Sequence, residues 1–134
     1  MKKLKILHVG WANSIHVERM INWLASKGHE ISILTNTPKE IPGVTVHDLR
    51  RKSDLRPRLE RYKDAYLNIN WKWLLKVNEI IRVRKMVDEI KPDIVHSHTL
   101  WYPGYLGVYL RFHPYVITVL DGDVLWKKEN VGFT

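Results

Sequence analysis

The stretch KILHVGWANSIHVERMINWLASKGHEISILT, residues 5–35, decides the fold class of this chain. It opens with a short apolar strand that stops at Gly10. A helix follows, ended by a cation and a glycine at Lys27 and Gly28, and the strand ISILT comes next. The helix is amphipathic, since its apolar residues recur at helical spacing: Val17, Met20, Ile21, Leu24 and Ala25. Strand, helix and strand in this order predict a parallel β-α-β unit.

The rest of the chain continues the alternation of strands and helices. VTVHDL (44–49), DIVH (93–96) and YVITVL (115–120) are predicted strands, and 71–90 and 103–111 are predicted helices. The strands are apolar on both faces, which is typical of a parallel sheet covered on both sides. With right-handed connections, we expect a Rossmann-like three-layer α/β/α domain with a parallel sheet in the order 3-2-1-4-5.

Length and composition bound the class of protein. The 134 residues suit a single domain spanning 1–134, and the absence of cysteine excludes disulfides and thiolate metal sites. No apolar run approaches the roughly 20 residues of a membrane span, and the N-terminus lacks a signal-peptide pattern. We therefore expect a cytoplasmic protein, for which peripheral contact at the inner membrane face is an open alternative.

The formal net charge is +8, and seven basic side chains fall within residues 50–63. Such a segment attracts the phosphates of nucleic acid, of anionic lipids or of nucleotides, or it is simply a solvated surface. A stand-alone basic module that binds nucleic acid or phosphorylated ligands is one function that this charge allows. The chain shows neither RNA-recognition aromatics nor a helix-turn-helix pattern, which counts against nucleic acid.

A ligand site is expected beyond the carboxyl ends of the strands, where the strand order reverses. The segments after the first, fourth and fifth strands converge there: Gly10 to His16, His96 to Gly104 and Leu120 to Asp123. We expect the fourth strand to end near His96, which would pack under a helix. His98 would then lie in the loop and face the crevice.

Two cofactor classes are disfavoured by the motifs. A dinucleotide fingerprint needs three glycines, whereas Gly10 stands alone and is followed by Trp11. A metal site is also disfavoured, because no third histidine or carboxylate stands at an evident ligand spacing from His96 and His98. We therefore predict no cofactor and no metal. A phosphate at the N-terminus of the first helix remains open.

Four motifs in order resemble the N-terminal domain of family 4 retaining glycosyltransferases, which have the GT-B fold. They are KILHVG, LASKGHEISILT, KPDIVHSH and HPYVITVLDGDVL. The resemblance covers nearly the whole chain except residues 50–90. It departs from the family pattern in the first loop, which often has two glycines, and at Leu120, where the family has histidine or tryptophan.

The resemblance implies half of a two-domain enzyme. In such enzymes the N-terminal domain mainly binds the acceptor, and the C-terminal domain binds the nucleotide-sugar donor and carries two glutamates separated by seven residues. No glutamate pair here has that spacing. We therefore expect a fragment without catalytic residues of its own, inactive alone, from an enzyme that glycosylates a glycan, a lipid-linked molecule or a small molecule, as in polysaccharide biosynthesis.

The resemblance also implies a set of cleft residues, each of which has a simpler structural interpretation. Asn13 and Ser14 can be a helix cap, residues 121–123 can be a turn, and Trp101 can pack on the following helix. The candidate acceptor or cleft contacts are Gly10, Asn13, Ser14, His16, His98, Trp101, Asp121 and Asp123.

Overall fold

A computed structural model describes residues 2–50, 71–100 and 102–120. Side chains are described from residue 77 onward in the second helix and from residue 103 onward in the third helix. The strands are β1 (Lys5–Val9), β2 (Glu30–Thr35), β3 (Val44–Asp48), β4 (Ile94–His98) and β5 (Tyr115–Thr118). The helices are α1 (Ile15–Ser26), α2 (Trp71–Ile90) and α3 (Tyr102–Leu110). The predicted basic segment lies almost entirely outside the described residues.

The five strands form one parallel sheet in the order β3-β2-β1-β4-β5. This confirms the predicted Rossmann-like fold. The main difference is at β4, which runs to His98 rather than ending near His96. It is longer because β5 pairs with it in register, and the pairing places His98 opposite Thr118. Among the helices described, none is long and apolar enough to cross a membrane.

Two apolar clusters fill the space on either side of the sheet. One lies between the sheet and α1, and it includes Ile6, Ile33, Val17 and Ile21. The other lies against α2 and α3: Leu7, Val9, Leu34, Leu49, Val83, Val87, Val95, Leu106 and Leu110. Alternate residues of the central strands thus enter opposite clusters, as strand geometry requires.

Helix α1 ends as the sequence predicts and begins differently. Gly28 has a φ of +86°, a left-handed conformation that glycine adopts without steric cost. Ser14 is the N-cap residue, but its side chain makes no capping hydrogen bond. The first-turn amide groups of α1 are therefore not satisfied by a side chain at the cap.

The packing of α1 predicts a large difference between two isoleucines on the same helix. Ile21 is 0% exposed, whereas Ile15 is 61% exposed. Ile21→Ala should lower the free energy of unfolding by about 2–5 kcal/mol, because it removes apolar contacts and leaves a cavity. Ile15→Ala, the matched control, should change it by less than about 0.5 kcal/mol. Urea denaturation followed by circular dichroism measures both, and equal effects would contradict the described packing.

Candidate functional site

The loop after β1 is fixed to the end of β2 by a chain of hydroxyl groups. The backbone N–H groups of Ala12 and Thr37 donate to Oγ1 of Thr35, each at 3.1 Å. The Thr37 hydroxyl donates to Oδ1 of Asn13 at 3.1 Å. Since that bond uses the single hydroxyl proton of Thr37, Thr35 must be the donor in its 3.2 Å contact with Thr37.

This network places one predicted site residue precisely. Asn13 is exposed at the crevice, and its side-chain oxygen is held by Thr37 rather than by the amide groups of α1. The amide nitrogen is therefore the group that Asn13 can offer to a ligand. Ser14 is half-buried and His16 is exposed on the first turn of α1. The helix-cap interpretation of the Asn13 and Ser14 side chains is not supported by their hydrogen bonds.

The end of β4 corrects the expectation for the two histidines. His98 is the last residue of β4 and is only 2% exposed, so it is not a free side chain in a loop. His96 is half-buried, and its Nε2 lies 2.7 Å from the Thr118 hydroxyl. The two share one face of the sheet, but the loop after β1 covers His98. A Cβ on Gly10 would lie 3.3 Å from Cβ and Cδ2 of His98.

A third histidine, His8 on β1, joins them. His8 pairs with His96 in the register of β1 and β4, and its Nδ1 lies 2.9 Å from Nε2 of His98. The ring centroids of the three imidazoles are 4.5–5.1 Å apart. The sequence-based argument against a metal considered only His96 and His98 as ligands. The structure adds His8 as a third histidine, so this premise was wrong. The sequence feature that could have identified His8 is its position as a polar residue between apolar residues of the first strand.

Burial lowers the pKa of all three imidazoles. It holds the pKa of His8 well below its usual value, and the neighbouring His98 and His96 add to the effect. The pKa of His98 falls to about 4, again mainly by burial and then through His96, and burial lowers the pKa of His96. At neutral pH the cluster is therefore uncharged, since each imidazolium would be poorly solvated and would repel the others.

The segment between β4 and α3 is strained. Thr99 has a φ of +80°, which is unusual for a β-branched residue, and its hydroxyl is buried without a hydrogen-bond partner in the described part of the chain. Its backbone N–H donates to the carbonyl of Thr118 at 2.9 Å. On the sheet face opposite His96 and His98, the Ser97 hydroxyl donates to the carbonyl of Pro103 and thereby anchors α3. Strain of this kind is concentrated at functional sites.

Three predicted contacts lie outside the described residues: Trp101, Asp121 and Asp123. The structure brings Gly10, Asn13, Ser14 and His98 to the same end of the sheet, with His16 on the first turn of α1. The added residues are His8, Thr35, Thr37 and Thr118. The site is thus the switch-point end of a Rossmann-like sheet, where His8 and His98 are buried and His96 is half-buried on one face of β1 and β4.

The comparison with known proteins places this fold and crevice in a family. Residues 5–132 match the family described as Glycosyl transferase 4-like. The chain therefore belongs to the glycosyl transferase 4-like family, as the four sequence motifs predicted. No curated protein gave a significant sequence match.

The lowered pKa values predict that acid destabilises the fold. The unfolded chain binds a proton at each histidine with a pKa near 6.5, whereas folded His98 binds one only near pH 4. The free energy of unfolding should therefore be unaffected above pH 7. Below pH 6.5 it should fall by about 1.4 kcal/mol per pH unit for each such histidine.

Urea denaturation between pH 7.5 and 5 measures this dependence. His98→Phe removes one titrating ring while keeping an aromatic side chain of similar size. The slope should therefore decrease by the contribution of one histidine, about 1.4 kcal/mol per pH unit. Ile15→Ala supplies the control, because it removes an exposed side chain that does not titrate and should leave the slope unchanged. A slope that is the same in wild type and His98→Phe would mean that His98 is not buried in the folded chain.

Proposed function

We propose that this chain is the acceptor-binding domain of a glycosyltransferase that transfers a sugar from a nucleotide-sugar to a glycan, a lipid-linked molecule or a small molecule. The observation that carries the proposal is the family match over residues 5–132, nearly the whole described fold. The acceptor role comes from the resemblance to the N-terminal half of GT-B enzymes. A second domain would then supply the donor site and the catalytic glutamates.

The loop after β1 supports this proposal, because it offers hydrogen-bonding groups suited to sugar hydroxyls. Asn13 is exposed and its amide nitrogen is directed by the bond between its oxygen and Thr37. The loop backbone is held by the bonds of Gly10 to Leu34 and of Ala12 to Thr35. A polar group on a fixed backbone binds with little loss of conformational entropy.

Helix α1 supports a role for the same crevice next to a diphosphate. The amide groups of its first turn have no side-chain cap, and they lie at the positive end of the helix dipole. A donor held across the crevice by a second domain would meet this end of the helix. Anion binding at a helix N-terminus is a general property of such ends.

Binding measurements on the purified chain test this function. In titrations followed by NMR, oligosaccharide acceptors should shift the amide signals around Gly10 and Asn13, and nucleotide-sugars should bind weakly. Asn13→Ala should weaken acceptor binding by about 3–10-fold, as expected for one hydrogen bond. Lys27→Ala, at the far end of α1, is the control and should have no effect.

The same samples separate the alternatives. We expect no sugar transfer by the chain alone, and transfer at an enzymatic rate would contradict the division of roles between two domains. Shifts caused by an RNA or DNA oligonucleotide, with none caused by any oligosaccharide or nucleotide-sugar, would instead support the basic nucleic-acid-binding module.

A lipid-linked acceptor would bring the domain to a membrane through residues 50–63, whose seven basic side chains can each contribute about 1 kcal/mol near an anionic bilayer. The chain should sediment with vesicles containing anionic lipid, less at high salt, and not with neutral vesicles.

Replacing Arg56, Arg58 and Arg61 with Gln should abolish most of this binding. A matched loss of charge at exposed positions (Arg19, Lys27 and Arg111 to Gln) should reduce it less. Equal losses in the two triple variants would show that only net charge matters.

A further inference from the structure

The three imidazoles of His8, His96 and His98 form a compact group on one face of the sheet. His8 and His96 are register partners on adjacent strands, and His98 follows two residues later on the same side. One nitrogen from each ring lies within 4.8 Å of the others. Two of the rings are almost fully buried, with exposed fractions of 0% for His8 and 2% for His98.

We propose that His8, His96 and His98 form a binding site for a divalent transition-metal ion of the zinc type. The donor atoms of the cluster are three imidazole nitrogens. This set suits Zn²⁺, Co²⁺, Ni²⁺ or Cu²⁺, whereas Mg²⁺ and Ca²⁺ require oxygen ligands. Three protein ligands leave a fourth position for water or for an oxygen of a bound substrate, as in zinc sites that are not purely structural.

The geometry is close to that of a three-histidine site. Zinc–nitrogen bonds of about 2.0–2.1 Å in a tetrahedron place the nitrogens about 3.3 Å apart. Nδ1 of His8 and Nε2 of His98 are 2.9 Å apart, and the widest separation in the group is within 4.8 Å. Small rotations of the rings bring the three nitrogens to the required spacing, and the paired strands hold their Cα atoms in place.

The hydrogen bonds of the ring nitrogens are incomplete in the described part of the chain. Nδ1 of His8 faces His98, but Nε2 of His8 is buried and has no partner in the described part of the chain. A buried polar atom of this kind is rare and calls for an explanation. With Nδ1 of His8 as the ligand atom, the proton of the neutral ring lies on Nε2, so this nitrogen stays a donor inside the fold. Thr118 already holds one nitrogen of His96, an outer-shell contact that orients a ligand ring.

An ion can enter from the side of His96. This ring is half-buried, and the adjacent strand β5 leaves Val116, its register partner, 45% exposed. His8 and His98 lie deeper, and the loop after β1 covers His98.

Metal titrations of the chelator-treated chain test the site. Zn²⁺ should bind with one ion per chain in calorimetry, Co²⁺ should give the visible absorption of a four-coordinate ion, and Mg²⁺ should produce no binding heat. X-ray absorption at the zinc edge should show nitrogen ligands with the scattering pattern of imidazole. His96→Gln and His8→Phe should each weaken zinc binding by more than about 100-fold, since loss of an outer-shell partner alone can cost that much.

His16→Gln is the matched control, because this exposed histidine lies outside the cluster and its loss should leave zinc affinity unchanged. Circular dichroism of the metal-free variants establishes that each is folded, and His96→Gln disturbs the core least because His96 is half-buried. The proposal is overturned if the wild-type chain binds no zinc, if zinc binding survives both substitutions, or if the absorption edge shows no imidazole. Because the readout is metal binding, it is independent of whether the chain binds a glycosyltransferase acceptor.

Discussion

The pairing of β1 with β4 is the interaction on which the rest of this structure depends. β1 forms hydrogen bonds with β2 on one side and with β4 on the other, so the strand order reverses across it. The helices that follow β1 and β4 pack on opposite faces of the sheet, which opens the crevice beyond the carboxyl ends of these two strands. The same register sets His8 beside His96 and carries His98 under the loop that follows β1.

The carboxyl ends of the central strands bury polar groups where apolar ones would be less costly. Thr35 and Ser97 are satisfied by hydrogen bonds to neighbouring segments. His8 and Thr99 are not fully satisfied by the described residues, and a buried polar atom without a partner costs about 1–3 kcal/mol. Buried polar atoms without partners and the unusual backbone of Thr99 occur together in this region. Such a concentration of locally unfavourable features is expected at a functional site.

Gly10 shows how family resemblance and local packing converge on one residue. The family resemblance implies a glycine here, at which the backbone would approach a diphosphate. In this chain Gly10 also allows His98 to pack directly against the loop, because even a methyl group would press on the ring. The second glycine of the family pattern is replaced by Trp11, which is half-buried. The first loop is thus supported by an imidazole below it and by the hydroxyl chain of Thr35 and Thr37 beside it.

The sequence by itself determined the alternation of strands and helices, the sheet order, the end of α1 at Gly28 and the family. These features follow from local periodicity and from general rules of connection, which act over a few neighbouring residues or over whole elements. Only the tertiary structure decided the environment of the histidines. His8 and His98 are 90 residues apart in the chain, and their contact depends on strand register. The sequence placed the end of β4 near His96, because local pattern cannot show that pairing with β5 extends it to His98. The burial of His98 also depends on the tertiary structure, because the loop after β1 covers this side chain.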